Sequence, residues 1–160
     1  MSDRDALQDT LQHPEHRELY AYWQSKRVDG RLPARADIDP IDLRRLLPHL
    51  ALIDVLREST DLDFRYRLTG TEIVERAGRD PTGRTFSDLY TGDYLETAIA
   101  TYREVVDTAE PLLSERTYPL VPDREFLRYD RLLLPLAADG RTVDMIMLLI
   151  VVLEHCRLDA

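Results

Sequence analysis

The sequence predicts an α+β fold: a five-stranded antiparallel sheet with short helices over one face and an N-terminal helical extension. Three observations carry that prediction. Phe64-Arg65-Tyr66-Arg67-Leu68 alternates strictly, as a half-buried strand does, with Phe64, Tyr66 and Leu68 facing inward. The chain after this strand is broken into short helical pieces by Gly78 and by the turn Asp80-Pro81-Thr82-Gly83. One long crossover helix is absent there, which argues against a parallel βαβ unit. Finally, Asp139-Gly140 separates two apolar segments and is a type I′ hairpin signal, so those segments should be antiparallel neighbours. Stubby helices cover a sheet less completely than one long helix, which predicts a sheltered internal cavity.

Taken in order, residues 1–13 read as a polar lead-in. From Pro14 to Val28, Leu19, Tyr22 and Trp23 recur among charged residues at helical spacing, and Asp29-Gly30 ends the helix. Arg31 to Ile38 is a proline-containing linker. Asp39-Pro40-Ile41-Asp42 opens a further helix, with Asp39 as N-cap and proline in the first position, carrying Ile41, Leu43, Leu46 and Leu47 as far as Pro48. Leu50 to Leu56 and Asp63 to Thr69 are the first two strands. Over 93–108, Leu95, Ile99, Tyr102 and Val106 form one helical stripe with Ala98 and Val105 beside it. Leu112 to Leu120 is the third strand, Pro122-Asp123-Arg124-Glu125 the turn after it, and Leu127 to Leu136 and Thr142 to Leu153 the last two strands. Residues 145–153 are apolar on both alternating faces, so the sheet needs cover on both sides.

Composition narrows the function classes. The 160 residues suffice for one domain with a core, and 44% hydrophobic with 32% charged residues is ordinary for a globular protein. A net charge of −9 disfavours nucleic acid and anionic membrane surfaces as partners. The apolar run at 145–153 is too short to span a bilayer and no signal peptide is evident, so a cytoplasmic location is expected. Cys156 is the only cysteine, which excludes an intrachain disulfide and a cysteine-based metal cluster.

The motifs Leu32-Pro33-Ala34-Arg35-Ala36-Asp37-Ile38-Asp39-Pro40, Leu46-Leu47-Pro48 with Leu52-Ile53-Asp54-Val55, and Phe64 to Thr71 form a recognisable set. Thr82-Gly83-Arg84, Arg131-Leu132-Leu133-Leu134-Pro135-Leu136 and Asp139-Gly140-Arg141 complete it. Together they resemble a family of small bacterial stand-alone PAS-domain proteins, over roughly residues 15–153. The resemblance implies a PAS domain over 39–156, preceded by an N-terminal helix and linker over 1–38. It also implies a regulatory sensor or binding module and supplies no catalytic residue. PAS domains that form a flavin adduct carry cysteine in the short helices after the second strand, and typical haem-binding ones carry histidine on the long helix. Residues 70–92 contain no cysteine and 95–108 no histidine, so neither a flavin adduct nor haem is expected, and a noncovalent flavin stays open.

Other chemistry has weaker footing. His13-Pro14-Glu15-His16 falls short of the four ligands of a closed metal site and reads as a solvated helix start. His49 reads as a helix-end cap or a packed neutral imidazole. No Gly-x-Ser-x-Gly elbow occurs, and the glycines are not spaced as a dinucleotide or phosphate loop. Ligand-contacting positions are expected at Tyr66, Leu68, Ile73, Phe86, Tyr102, Tyr129, Met145 and Met147, with Leu89 and Ile99 nearby. Arg131 beside Tyr129 would favour an anion if both point inward.

The expected function is therefore a sensor that binds a small ligand or a signalling protein and responds by conformational change. An interaction protein with a filled core is one alternative. A small enzyme using Asp54 or Asp144 as pocket carboxylates is another, though paired or outward acids are the commoner case. The double-faced strand at 145–153 and the amphipathic N-terminal helix also suggest a homodimer built on the sheet's outer face.

Overall fold

The structure, a computed structural model, describes residues 3–58, 60–121 and 125–157. Five strands form one antiparallel sheet in the order β2-β1-β5-β4-β3, with β1 Leu50–Leu56, β2 Asp63–Thr69, β3 Leu112–Val121, β4 Glu125–Leu136 and β5 Met145–Arg157. Two helices precede it, α1 Asp3–Thr10 and α2 Pro14–Ser25; three lie between β2 and β3, namely α3 Thr71–Ala77, α4 Phe86–Leu89 and α5 Gly92–Thr108. The turn expected at Pro122-Asp123-Arg124 lies outside the described residues.

Residues directly opposed across antiparallel strands share a face, so the register assigns the faces. Ile53 stands opposite Tyr66 and Ile146, and Ala51 opposite Leu148, which makes these the inner face under α3 to α5. Asp54 stands opposite Arg65 and Met145, and Leu52 opposite Met147, which makes these the outer face. A bulge upsets the alternation at the end of β2. The register jumps from Tyr66 opposite Ile53 to Leu68 opposite Leu52, leaving Arg67 as the extra residue. Leu68 is thereby turned to the outer face and left 41% exposed, against the expectation that it points inward. Arg65 and Arg67 both reach Asp54 there, at 3.1 and 3.0 Å.

The outer face is covered from within the chain. α2 lies over β4 and β5, with Leu19, Tyr20 and Trp23 fully buried, and Leu11 sealed in just before it. The Trp23 indole N–H donates to the Pro135 carbonyl at 2.9 Å, and His16 Nε2 donates to the Leu149 carbonyl at 3.0 Å. His16 is therefore a core residue and not part of a solvated surface, while its neighbour His13 meets Asp130 at 2.8 Å. Among the described residues no group of acids, histidines or cysteines is placed to hold a metal ion. α2 thus folds back on its own sheet and covers its apolar outer face. The lead-in also differs from expectation, since residues 3–10 are helical.

The link between β4 and β5 is not a two-residue turn. It runs over 137–144, and only Gly140, at φ 82°, is left-handed. The Asp139 carboxylate accepts from the backbone of Arg141 and Thr142 at 2.8 and 2.7 Å, which favours a longer loop over a tight type I′ turn. That loop clamps the linker: Leu32 N–H donates to Gly140 and Ala137 N–H to Pro33, both at 2.8 Å.

Candidate functional site

Three local features build a hollow on the inner face. At the end of β2, Gly70 presses so close to the turn Leu47–His49 that a Cβ there would fall on the carbonyl oxygens of Leu47 and Pro48. The glycine thus seats the start of α3 against that turn, and α3 itself buries no residue. Gly83 at φ 87° then lets the chain return along the edge of β2, where Tyr66 N–H donates to Arg84 at 3.1 Å. Thr85 caps α4 by accepting from the Asp88 N–H at 3.1 Å, which places Phe86 over the sheet. Phe86 packs against Tyr102 of α5, Tyr66 and Phe64, with ring centroids 4.9, 5.2 and 5.5 Å away.

Two adjoining chambers remain between these elements and the sheet. The larger offers about 70 Å³ to the centres of water molecules, the smaller about 30 Å³. Tyr66, Tyr90, Tyr94, Tyr129, Ile73 and Ile150 wall both. Tyr118, His49, Arg76 and Arg79 border the larger one, and Phe86, Tyr102 and Arg131 the smaller. The Tyr66 and Tyr90 hydroxyls hydrogen-bond to each other at 2.8 Å. Burial out of water pushes the phenols of Tyr66, Tyr90, Tyr102 and Tyr129 above their ordinary value, so the walls are neutral near pH 7. Arg116 stacks over Tyr94, 4.1 Å from its ring centroid, and donates to the Tyr94 carbonyl at 2.9 Å. The Arg131 guanidinium lies 5.3 Å from the Tyr102 centroid, is only 4% exposed, and leaves Nε and Nη2 buried without a partner.

Of the positions expected at a ligand, Tyr66, Ile73, Phe86, Tyr102 and Tyr129 meet at these chambers. Leu68, Met145 and Met147 do not. The bulge removes Leu68, and the two methionines occupy the outer-face phase of β5, where Met147 is fully buried on the side that α2 covers. Ile150 and Val152, on the inner phase, take their place. Leu89 and Ile99 do not line the hollow either. The fully buried stripe of α5 is Ala98, Tyr102 and Val105, one step round from the stripe expected, and Leu95, Ile99 and Val106 flank it.

Sequence reasoning passes over Tyr90, Tyr94, Tyr118, Arg76 and Arg79, and assigns His49 to a helix end. No periodic signal marks the pair Tyr90 and Tyr94, because Tyr90 is extended between α4 and α5 and only Tyr94 is helical. The two carboxylates considered for catalysis are engaged elsewhere: Asp54 with its arginines on the outer face, and Asp144 as acceptor from the Ala138 N–H at 2.8 Å. Neither lines a chamber.

The chain is similar to the solved structure of a variant of RsLOV, at 17% identity and a TM-score of 0.48, over 69% of this chain and 65% of that one. It thus spans slightly less than two thirds of that protein's length. It is also similar to a domain of an HTR-like protein from Haloarcula marismortui, at 17% identity and a TM-score of 0.41, over 65% of this chain and 98% of that domain. No curated protein matches the sequence. The model of the PAS domain family matches residues 11–151, which takes in α2, the helices over the inner face and most of the sheet. By that match the chain belongs to the PAS domain family.

Proposed function

We propose that this PAS domain is a regulatory binding module that takes a small organic ligand into the tyrosine-walled chambers and reports its presence by a shift between conformations. Domains of this family generally mediate sensing and signalling and are typically not catalytic. The observation that carries the reading to a ligand is the pair of adjoining chambers, walled by neutral tyrosines and apolar side chains with a few convergent polar groups, as small-molecule sites usually are. The lever is α3. It buries no side chain of its own, rests on the turn Leu47–His49, and contributes Ile73 and Arg76 to the hollow. A ligand filling the space beneath it acts on the one helix of the inner face that buries no residue, and an element with little buried surface is the one most easily biased between two positions.

Native mass spectrometry of the full chain purified from its own source tests this directly. A reproducible excess mass of a small organic molecule, released on denaturation, is the expected result. A bare chain mass, together with no change in α3 amide exchange across a library of small organic probes, would refute it.

A further inference from the structure

We infer that the smaller chamber is an anion site built on Arg131, and that the ligand it takes is a small aromatic monocarboxylate. The inference rests on the reading of the chambers as a ligand site and adds the chemical class. Arg131 sits on the inner face of β4, opposite Ile150 on β5 and Ser114 on β3. Among the described residues no carboxylate forms a salt bridge with it, and its Nε and Nη2 donors are buried with nothing to receive them. A guanidinium taken out of water without a counter-charge is strongly unfavourable, so a structure retains one where something else supplies the charge. The two orphaned donors are also the right two. Nε–H and one Nη2–H lie parallel along one edge of the guanidinium, the spacing that a carboxylate's two oxygens accept side-on.

The surroundings agree in sign and shape. In a chain of net charge −9, the larger chamber carries Arg76 and Arg79 against one acid, Glu72, so an approaching anion meets a locally basic opening. Beyond Arg131 the shared walls are the rings of Tyr66, Tyr90, Tyr94 and Tyr129, which favour a planar aromatic body packed edge or face against them. At ~10–15 Å³ per water centre, the larger chamber holds about five waters and the smaller about two, space suited to a one-ring acid and too little for a fused polycycle.

Calorimetric titration of the full chain with benzoate, benzamide and hexanoate tests the class. Benzoate is expected to bind at least about tenfold tighter than its neutral amide, since a charge-assisted fork is replaced by a weaker neutral contact. Arg131→Met should lower benzoate to the benzamide level while benzamide binding stays within about twofold, and Arg131→Lys, which keeps charge without the fork, should fall between. Equal binding of benzoate and benzamide, or a benzoate preference that survives Arg131→Met, overturns the anion site and leaves the chamber a ligand site. Hexanoate binding as tightly as benzoate overturns the aromatic body. Binding of none of the three probes counts against both this inference and the ligand-site reading beneath it. Should Arg131→Met fail to fold, the benzoate-to-benzamide ratio of the natural chain and of Arg131→Lys decides.

Discussion

The two faces of the sheet both bury aromatic side chains and treat their polar groups in opposite ways. On the outer face, α2 lays Leu19, Tyr20 and Trp23 over β4 and β5, and the indole N–H and the His16 Nε2 donor each find a strand carbonyl. On the inner face, α3 to α5 cover the sheet in short pieces, two chambers stay open between them, and the Arg131 guanidinium is buried with two donors unmet. A sealed face with its donors paired is scaffold, because the buried donors there already have their partners. A face that keeps a buried cation unpaired has given up stability locally, and such departures gather at functional sites.

The largest effect should come from the scaffold side. Trp23→Ala removes a fully buried indole and its bond to Pro135, and is expected to cost about 3–5 kcal/mol in denaturant unfolding. A loss below about 1 kcal/mol would mean that α2 is an accessory, and the contrast between the faces would collapse. Arg131→Met makes the opposite test on the inner face. Removing a buried charge that has no counter-ion, only the Tyr102 side chain beside it, in favour of an apolar chain of similar length should leave unfolding stability unchanged or raise it. A marked loss would show that Arg131 has a structural partner and is scaffold after all.

The smallest effect concerns the one blemish on the outer face among the described residues, the buried His16 Nδ1 without a partner. Burial lowers the His16 pKa below the ordinary imidazole value of 6.5; the bond to Leu149 opposes that, His13 adds to it, and Asp130 and Glu15 oppose it. The unfolded chain therefore takes up the proton more readily than the folded one. The His16 contribution to stability is fully present above pH 6.5 and is lost as pH falls from there toward the folded value. Melting temperature should decline over that window in the natural chain, and His16→Gln should flatten that decline. A decline of the same slope in the variant would place the sensitive group elsewhere.

How far the sequence shows this arrangement depends on the element. The helices before the sheet are read poorly: residues 3–10 are helical, and the helix expected from Asp39 to Pro48 is two short 3₁₀ turns, Pro40–Leu43 and Leu47–His49. Strand positions and the break into short helices after β2 are legible, because alternation, glycine and proline placement act locally. The face that each residue of β2 and β5 presents is not. One extra residue at Arg67 reverses Leu68, and a run apolar on both sides, such as Met145 to Leu153, carries no phase of its own. Pattern alone therefore puts Met145 and Met147 on the wrong side and misses Ile150 and Val152. Asp139-Gly140 does join antiparallel neighbours, but the Asp139 carboxylate satisfies its own loop backbone and so lengthens the turn. The tyrosines of the hollow come from four separate elements and the segment before α5, and only the folded chain brings them together.

The difference between the faces can be read in one sample. The chain has a single tryptophan, so its indole N–H gives one resonance and reports the outer face, while specifically labelled tyrosine rings report mainly the hollow. Titration with benzoate, followed by heteronuclear NMR of the full chain, should move the ring signals of Tyr66, Tyr90 and Tyr129 in a saturable way and leave the Trp23 indole in place. Movement of the Trp23 indole with the tyrosines silent, or no saturable movement at either face, would contradict the division of the sheet into a sealed scaffold and a ligand chamber.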